Sequence, residues 1–313
     1  MTVSSSGDPA GTVTYYGRPI LKEPVWIWAV PLYFYCGGAA GAAAALGAVA
    51  QSADRDELSD LITRCRFIAG AGTLVGTALL IHDLGRPRRF LNMLRVFRPT
   101  SAMSVGSWLL AAASFLSAGS AAFAGGRGMS RRVGDLGGLG AGVVGLPLSG
   151  YTAVLLSDTA VPLWSATRRS LPALFVASAM SSATSLLGFA ELSRAEERIV
   201  HRLDLAAGAA ELAAAALVQK EASEVEEVGR PLEEGVSASL WKASTALGVA
   251  SLVLSLLPGH GRRVRTLGAL LGTAGGLATR FAVFYAGKAS ARDPKATFVQ
   301  QHAGHGGVDV RGG

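Results

Sequence analysis

Few residues in this sequence could do chemistry, and most of them stand at the ends of long apolar runs. His82 and Asp83 close one run, Asp158 ends another and Glu191 a third, while Asp204, Glu211 and Arg280 lie further inside. Ionisable side chains are costly within a bilayer, so each is a candidate for function. Proton exchange is general acid-base work, suited to His, Asp, Glu or Tyr. His82, Asp83, Tyr33, Tyr35 and Asp158 all fall near span ends on one side of the membrane. Tyr151 stands about two helical turns before Asp158, a spacing that lets both face one cavity. The plainer reading of acids at span ends is solvation among lipid headgroups. For the deeper Glu211 and Arg280 it is a structural ion pair, because a buried charge needs a partner.

The same inventory bounds redox chemistry. None of the histidines, His82, His201, His260, His302 and His305, lies in the middle of a span, so no pair is placed to ligate haem. Cys36 and Cys65 are the only thiols, too few for an iron-sulfur cluster. Gly140, Gly142 and Gly145 spell the dinucleotide pattern GxGxxG, but inside a membrane-length apolar run with no preceding strand, which reads as helix packing and not as a flavin or nicotinamide site. No haem, iron-sulfur cluster, flavin or metal centre is expected in this chain. Any redox centre it serves belongs to a partner.

The elements that position these groups follow from composition. Of the 313 residues 50% are hydrophobic and 16% charged, against roughly 25% charged in soluble domains, which leaves too little polar surface for water. An all-α polytopic membrane protein is expected. Runs long enough to span cover residues 25–50, 61–81, 104–124, 136–157, 171–190, 203–218, 240–257 and 264–286, giving eight transmembrane helices between a polar segment, 1–24, and a flexible polar tail, 288–313. No cleaved signal peptide is expected. The spans read as free of mid-span proline and of internal repeats. The net charge of +7 comes mainly from arginines in short connections, a headgroup-anchoring pattern and not a nucleic-acid surface. Lys and Arg divide nearly evenly between the two sides, so they do not set the orientation.

Residues 82–108, HDLGRPRRFLNMLRVFRPTSAMSVGSW, are the most unusual stretch. Arg86, Arg88, Arg89, Arg95 and Arg98 alternate there with apolar side chains, giving either an amphipathic headgroup anchor or a docking surface for a soluble subunit.

HDLGRPRRFLNML followed by RPTSAMSVGSW resembles the signature of the NrfD/polysulfide reductase membrane-subunit family. YYGRPILKEPVW, PLYFYCGGAAGA, GYTAVLLSDTAVPLW, LPALFVASAMSSA, PLEEG and ATRFAVFYAGKASARDPKATF are similar to it as well, so the resemblance runs from about residue 15 to 298. It implies eight helices in two four-helix bundles and a prokaryotic plasma (inner) membrane. It further implies a quinone or quinol substrate, menaquinone foremost, reacting beside a ferredoxin-like iron-sulfur subunit that passes electrons to or from a molybdopterin-type catalytic subunit. Family quinone contacts come from the first helix and a tyrosine of the fourth, which points to Tyr151. His82, Asp83 and Tyr151 are then the expected head-group and proton-exchange residues, with Tyr33, Tyr35 and Asp158 as further contacts. The five loop arginines are the expected docking residues. Two other classes stay open: a secondary transporter or ion-translocating subunit using Asp204, Glu211 and Arg280, and a purely structural anchor.

Overall fold

The computed structural model describes residues 21–257 and 261–297. Within them the chain is helical, as a lipid-facing backbone must be when no water is at hand for its polar groups. In chain order the elements are α1 (Ala29–Ala53), α2 (Ser59–Leu84), a short α3 (Pro87–Met93), α4 (Ala102–Ala122), α5 (Met129–Ser157), a short α6 (Pro162–Ala166), α7 (Ser170–Leu187), α8 (Arg194–Ala222), a single turn α9 (Glu226–Gly229) followed by a 3-10 turn (Arg230–Leu232), α10 (Gly235–Leu256) and α11 (Arg262–Arg292).

The long helices pack as two groups of four. α1, α2, α4 and α5 form the first bundle and α7, α8, α10 and α11 the second, joined mainly by α1 and α5 against α7. Buried residues make up 72% of the apolar window of α1 but 17% of that of α10, so α1 is the central post and α10 an outer wall. Small residues make that centre possible. A Cβ on Gly41 would lie 2.5 Å from the Gly145 carbonyl oxygen, and one on Gly145 would lie 2.6 Å from that of Gly41, so α1 and α5 touch backbone to backbone. Gly145 is the last glycine of the GxGxxG match; it serves packing.

Among the described residues seven helices, α1, α2, α4, α5, α7, α10 and α11, are long and apolar enough to cross a bilayer by length and composition. One expected span falls outside that set, so eight are not confirmed. The expected sixth span is α8, 29 residues long, but it carries Arg194, Glu196, Glu197, Arg198, Arg202, Asp204, Glu211, Lys220 and Glu221. Its charges are tied into the fold. Glu196 caps its own helix with Ser193 and also accepts from the Leu61 N–H at 2.7 Å, linking the two bundles, while Glu221 accepts from the Ser170 hydroxyl at 2.7 Å. Pro147 lies inside α5, contrary to the expectation of proline-free spans; it removes one helical donor while the helix runs on to Ser157. α11 extends to Arg292, past the expected edge of its span. The rest of the expected tail, 298–313, and the segment 1–20 lie outside the described residues.

Candidate functional site

The arginine-rich stretch is a built connection. α2 stops at Gly85, whose φ of 70° is the left-handed turn that ends helices, and Pro87 starts α3 in the first helical turn, where its missing N–H costs nothing. The Asp-Leu-Gly-Arg-Pro run is thus the turn itself. Phe90 is buried beneath α3, and Arg89 donates to the Leu84 carbonyl at 3.0 Å. Ser101 caps α4, while the Ser104 hydroxyl accepts from the Arg98 N–H at 3.0 Å and donates to the Val96 carbonyl at 3.2 Å. Arg86, Arg88, Arg89, Arg95 and Arg98 stay exposed beside Leu91, Val96 and Phe97.

Behind this connection a cavity of about 60 Å³ opens among α1, α2, α4 and α5. Tyr33 of α1, Asp83 of α2 and Tyr151 of α5 line it together with Trp26, Met103 and Ser107. Gly106 explains how Tyr151 reaches it: a Cβ there would stand 1.6 Å from the phenol Cζ and 1.8 Å from its oxygen, so the glycine of the Ser-x-Gly-x-Trp motif is the space the tyrosine fills. Neither phenol hydroxyl has a hydrogen-bond partner among the described residues, which leaves both able to bind a ligand oxygen. One Asp83 oxygen accepts from the Ile27 N–H at 3.0 Å, fixing the carboxylate and the start of α1 together. The cavity therefore combines an apolar body with three oxygen-bearing tips from three helices.

The other expected site residues do not converge on it. His82 is exposed, its ring 6.1 Å from that of Trp28, and does not line the cavity. Asp158 is exposed at the C-terminal end of α5. Tyr35, two residues beyond Tyr33, faces the second bundle: its ring would lie 3.3 Å from a Cβ on Gly276. Trp26 and Gly106 were not singled out from the sequence, although both stand in stretches that carry the resemblance.

Two further polar regions lie elsewhere. Arg280 is 1% exposed, donates to the Phe175 carbonyl at 2.9 Å and sits 3.8 Å over the Phe175 ring. No carboxylate lies within ion-pair distance of it among the described residues, so the expected pair with Glu211 is replaced by a carbonyl and an aromatic face. At the opposite end of the second bundle a larger cavity, about 500 Å³, runs inward from Arg194 and Arg198 past His201 to Asp204. There the Asp204 carboxylate accepts from the Thr184 hydroxyl at 2.8 Å and the Ser255 hydroxyl at 2.9 Å. A small void lined by Asp204 and Glu211 continues beyond it.

Two helical bundles with helices apolar enough to cross a bilayer, and a mainly apolar cavity bearing three oxygen-tipped side chains beside an ordered basic connection, define a multi-pass membrane protein. The chain belongs to the NrfD family: residues 20–291 match the family described as "Polysulphide reductase, NrfD". It is accordingly a membrane subunit of the polysulfide-reductase type of oxidoreductase complex. No curated protein matches the chain.

Proposed function

We propose that this chain binds quinone or quinol in the Tyr33–Asp83–Tyr151 cavity and exchanges electrons with the iron-sulfur cluster of a ferredoxin-like subunit seated on the arginine connection. In this reading a molybdopterin-type subunit does the remote catalysis, menaquinone is the working quinone, and the complex lies in a prokaryotic plasma (inner) membrane. The observation that carries the reading is the convergence of two unpaired phenol hydroxyls and a carboxylate on one apolar cavity at a span end. That donor set fits the ligand: a quinone offers two carbonyl oxygens on a flat apolar ring.

Oxidising a quinol to a quinone releases two electrons and two protons. The electrons pass to the partner's cluster, and the half-buried Asp83, held in place by the Ile27 N–H, accepts the two protons in succession and passes each to solvent. Tyr151 and Tyr33 orient the ring by donating to its oxygens. Arg86, Arg88, Arg89, Arg95 and Arg98 give the acidic face of a partner its complement. Menaquinol oxidation by the assembled complex tests this: Asp83→Asn is expected to lower turnover about 100-fold or more, the usual scale of a lost proton-transfer group. If Asp83→Asn and Tyr151→Phe both leave turnover intact, the assignment falls.

A second reading has its own support. His201, Asp204 and Glu211 follow one face of α8, and the 500 Å³ cavity brings that face to the opposite end of the bundle. Ion translocation through the second bundle would use this stripe. Its test is proton uptake by reconstituted vesicles: Asp204→Asn abolishing uptake while quinol oxidation persists would favour it.

A further inference from the structure

One wall of the cavity is Trp26, which stands among the residues that precede α1. They have no helical hydrogen bonds of their own until Val30 donates to the Ile27 carbonyl at 3.0 Å, so side chains from other elements hold them. The Glu23 carboxylate accepts two hydrogen bonds from Arg292, at 2.6 Å and 2.9 Å, and lies 3.0 Å from Lys288 Nζ. Lys288 also donates to the Trp26 carbonyl at 3.0 Å. The Trp26 ring, a cavity wall, stacks on Trp164 with centroids 6.0 Å apart and planes 23° apart. Trp164 is fully buried and donates from Nε1 to the Val283 carbonyl at 2.9 Å. It occupies the place of the side chain that Gly287 lacks, since a Cβ there would be 2.0 Å from the indole. The polar contacts on this stretch, apart from Asp83 through Ile27, come from α11, and the Trp26 ring stacks on one seated on α11 while packing at the edge of the main apolar core.

The size of the cavity gives this arrangement a purpose. About 60 Å³ is far below the ~300 Å³ at which small-molecule sites begin, so a ring-sized ligand enters only if a wall moves. The helices are tightly packed, whereas the stretch before α1 is held by a few polar contacts and one ring stack. We propose that Trp26 is the movable wall and specificity residue of this cavity, and that Glu23, clamped by Lys288 and Arg292, is the positioning residue that sets how readily the wall opens and closes over a flat aromatic head group. The inference rests on the quinone reading of the cavity. Its consequence is that the last helix, in the second bundle, governs ligand affinity in the first.

The experiment uses the intact complex with two readouts: backbone hydrogen exchange over residues 21–30 without quinol, and steady-state menaquinol oxidation. Glu23→Gln is expected to speed exchange in that stretch and to raise KM about threefold to tenfold with kcat within about twofold, as suits the loss of a charge-assisted clamp. The conservative Glu23→Asp, which keeps the charge facing Lys288 and Arg292, is expected to hold both readouts nearer wild type than Glu23→Gln does. Trp26→Leu is expected to raise KM while exchange at Glu23 stays slow. Unchanged exchange in Glu23→Gln overturns the clamp. Faster exchange with unchanged KM overturns the wall assignment. Tyr151→Phe, measured alongside, separates the two levels: if it cuts turnover while Glu23→Gln does nothing, only the wall inference fails; if neither variant matters, the quinone reading fails with it.

Discussion

The two bundles end differently on the face opposite the Tyr33–Asp83–Tyr151 cavity. In the first, Arg66 is 6% exposed and donates to Asp135 at 2.8 Å and to Gln51 at 2.7 Å, Arg55 pairs with the same Asp135, and Gln51 donates to the Asp135 carbonyl at 3.1 Å. The polar groups satisfy one another except for Arg66 Nε, and a void of about 10 Å³ lies beside them. In the second, Asp204 is held by two hydroxyls and no cation at the floor of a cavity of about 500 Å³. Charge closes a helix end in the first, whereas in the second it lines a cavity. The Tyr33–Asp83–Tyr151 cavity of the first bundle lies at the end beside the arginine connection, and the larger cavity of the second lies at the other end. The buried Arg280 of α11 lines neither.

The largest effect expected within this comparison comes from one methyl group. Gly106→Ala places a Cβ inside the Tyr151 phenol, and neither α4 nor α5 can yield without losing helix packing, so the tyrosine leaves the cavity. Menaquinol oxidation should fall about 100-fold, the scale of a lost orienting and proton-transfer partner. Gly119→Ala, on the same helix with nothing within 4 Å of the added carbon, should be silent. Equal behaviour of the two variants would remove the cavity from the mechanism.

Closing the first bundle and opening the second should be separable by stability. Arg66→Met strands Asp135 with only the partly exposed Arg55, and breaking such a buried pair costs about 3 kcal/mol. Thermal unfolding in mild detergent should register that loss. Asp204→Asn keeps an oxygen for Thr184 or Ser255, so its unfolding should shift by less than about 1 kcal/mol. A large destabilisation from Asp204→Asn would make that carboxylate structural and weaken the contrast between the two ends.

How much of this was legible in the sequence depends on what each feature rests on. Spans show in composition, and seven of the expected eight have helices apolar enough to cross. The sixth, α8, is not confirmed as a span, because a window that starts at Leu203 omits the charged turns before it, where Glu196 and its neighbours tie α8 to other helices. The Gly85–Arg86–Pro87 turn was readable because local chemistry dictates it. Asp83, Tyr33 and Tyr151 were nominated as neighbours of span ends, and tertiary packing brings them together. The same reasoning nominated His82, yet adjacent residues on a helix point about 100° apart, so Asp83 and His82 cannot both face one cavity. Tyr35 diverges from Tyr33 for the same reason. Trp26 was beyond reach because its place depends on Lys288 and Trp164, more than a hundred residues away.

The smallest effect expected is one of pH, and it sharpens the link between the bundles. Hydrogen bonding from Arg292, followed by that from Lys288, holds the Glu23 carboxyl below its ordinary value against an opposing cost of burial. A carboxylate lowered in the folded state contributes its stabilisation fully above the ordinary carboxylate range, about pH 4, and loses it only as pH falls through the depressed value. The charged groups facing it are Lys288 and Arg292. KM for quinol should therefore be flat with respect to the clamp from about pH 8 to pH 5 and rise only under stronger acid. Glu23→Gln should start from the raised KM and show no such acid limb. A wild-type acid limb that survives in Glu23→Gln would detach it from the clamp, and would leave the first bundle's cavity independent of the second bundle's last helix.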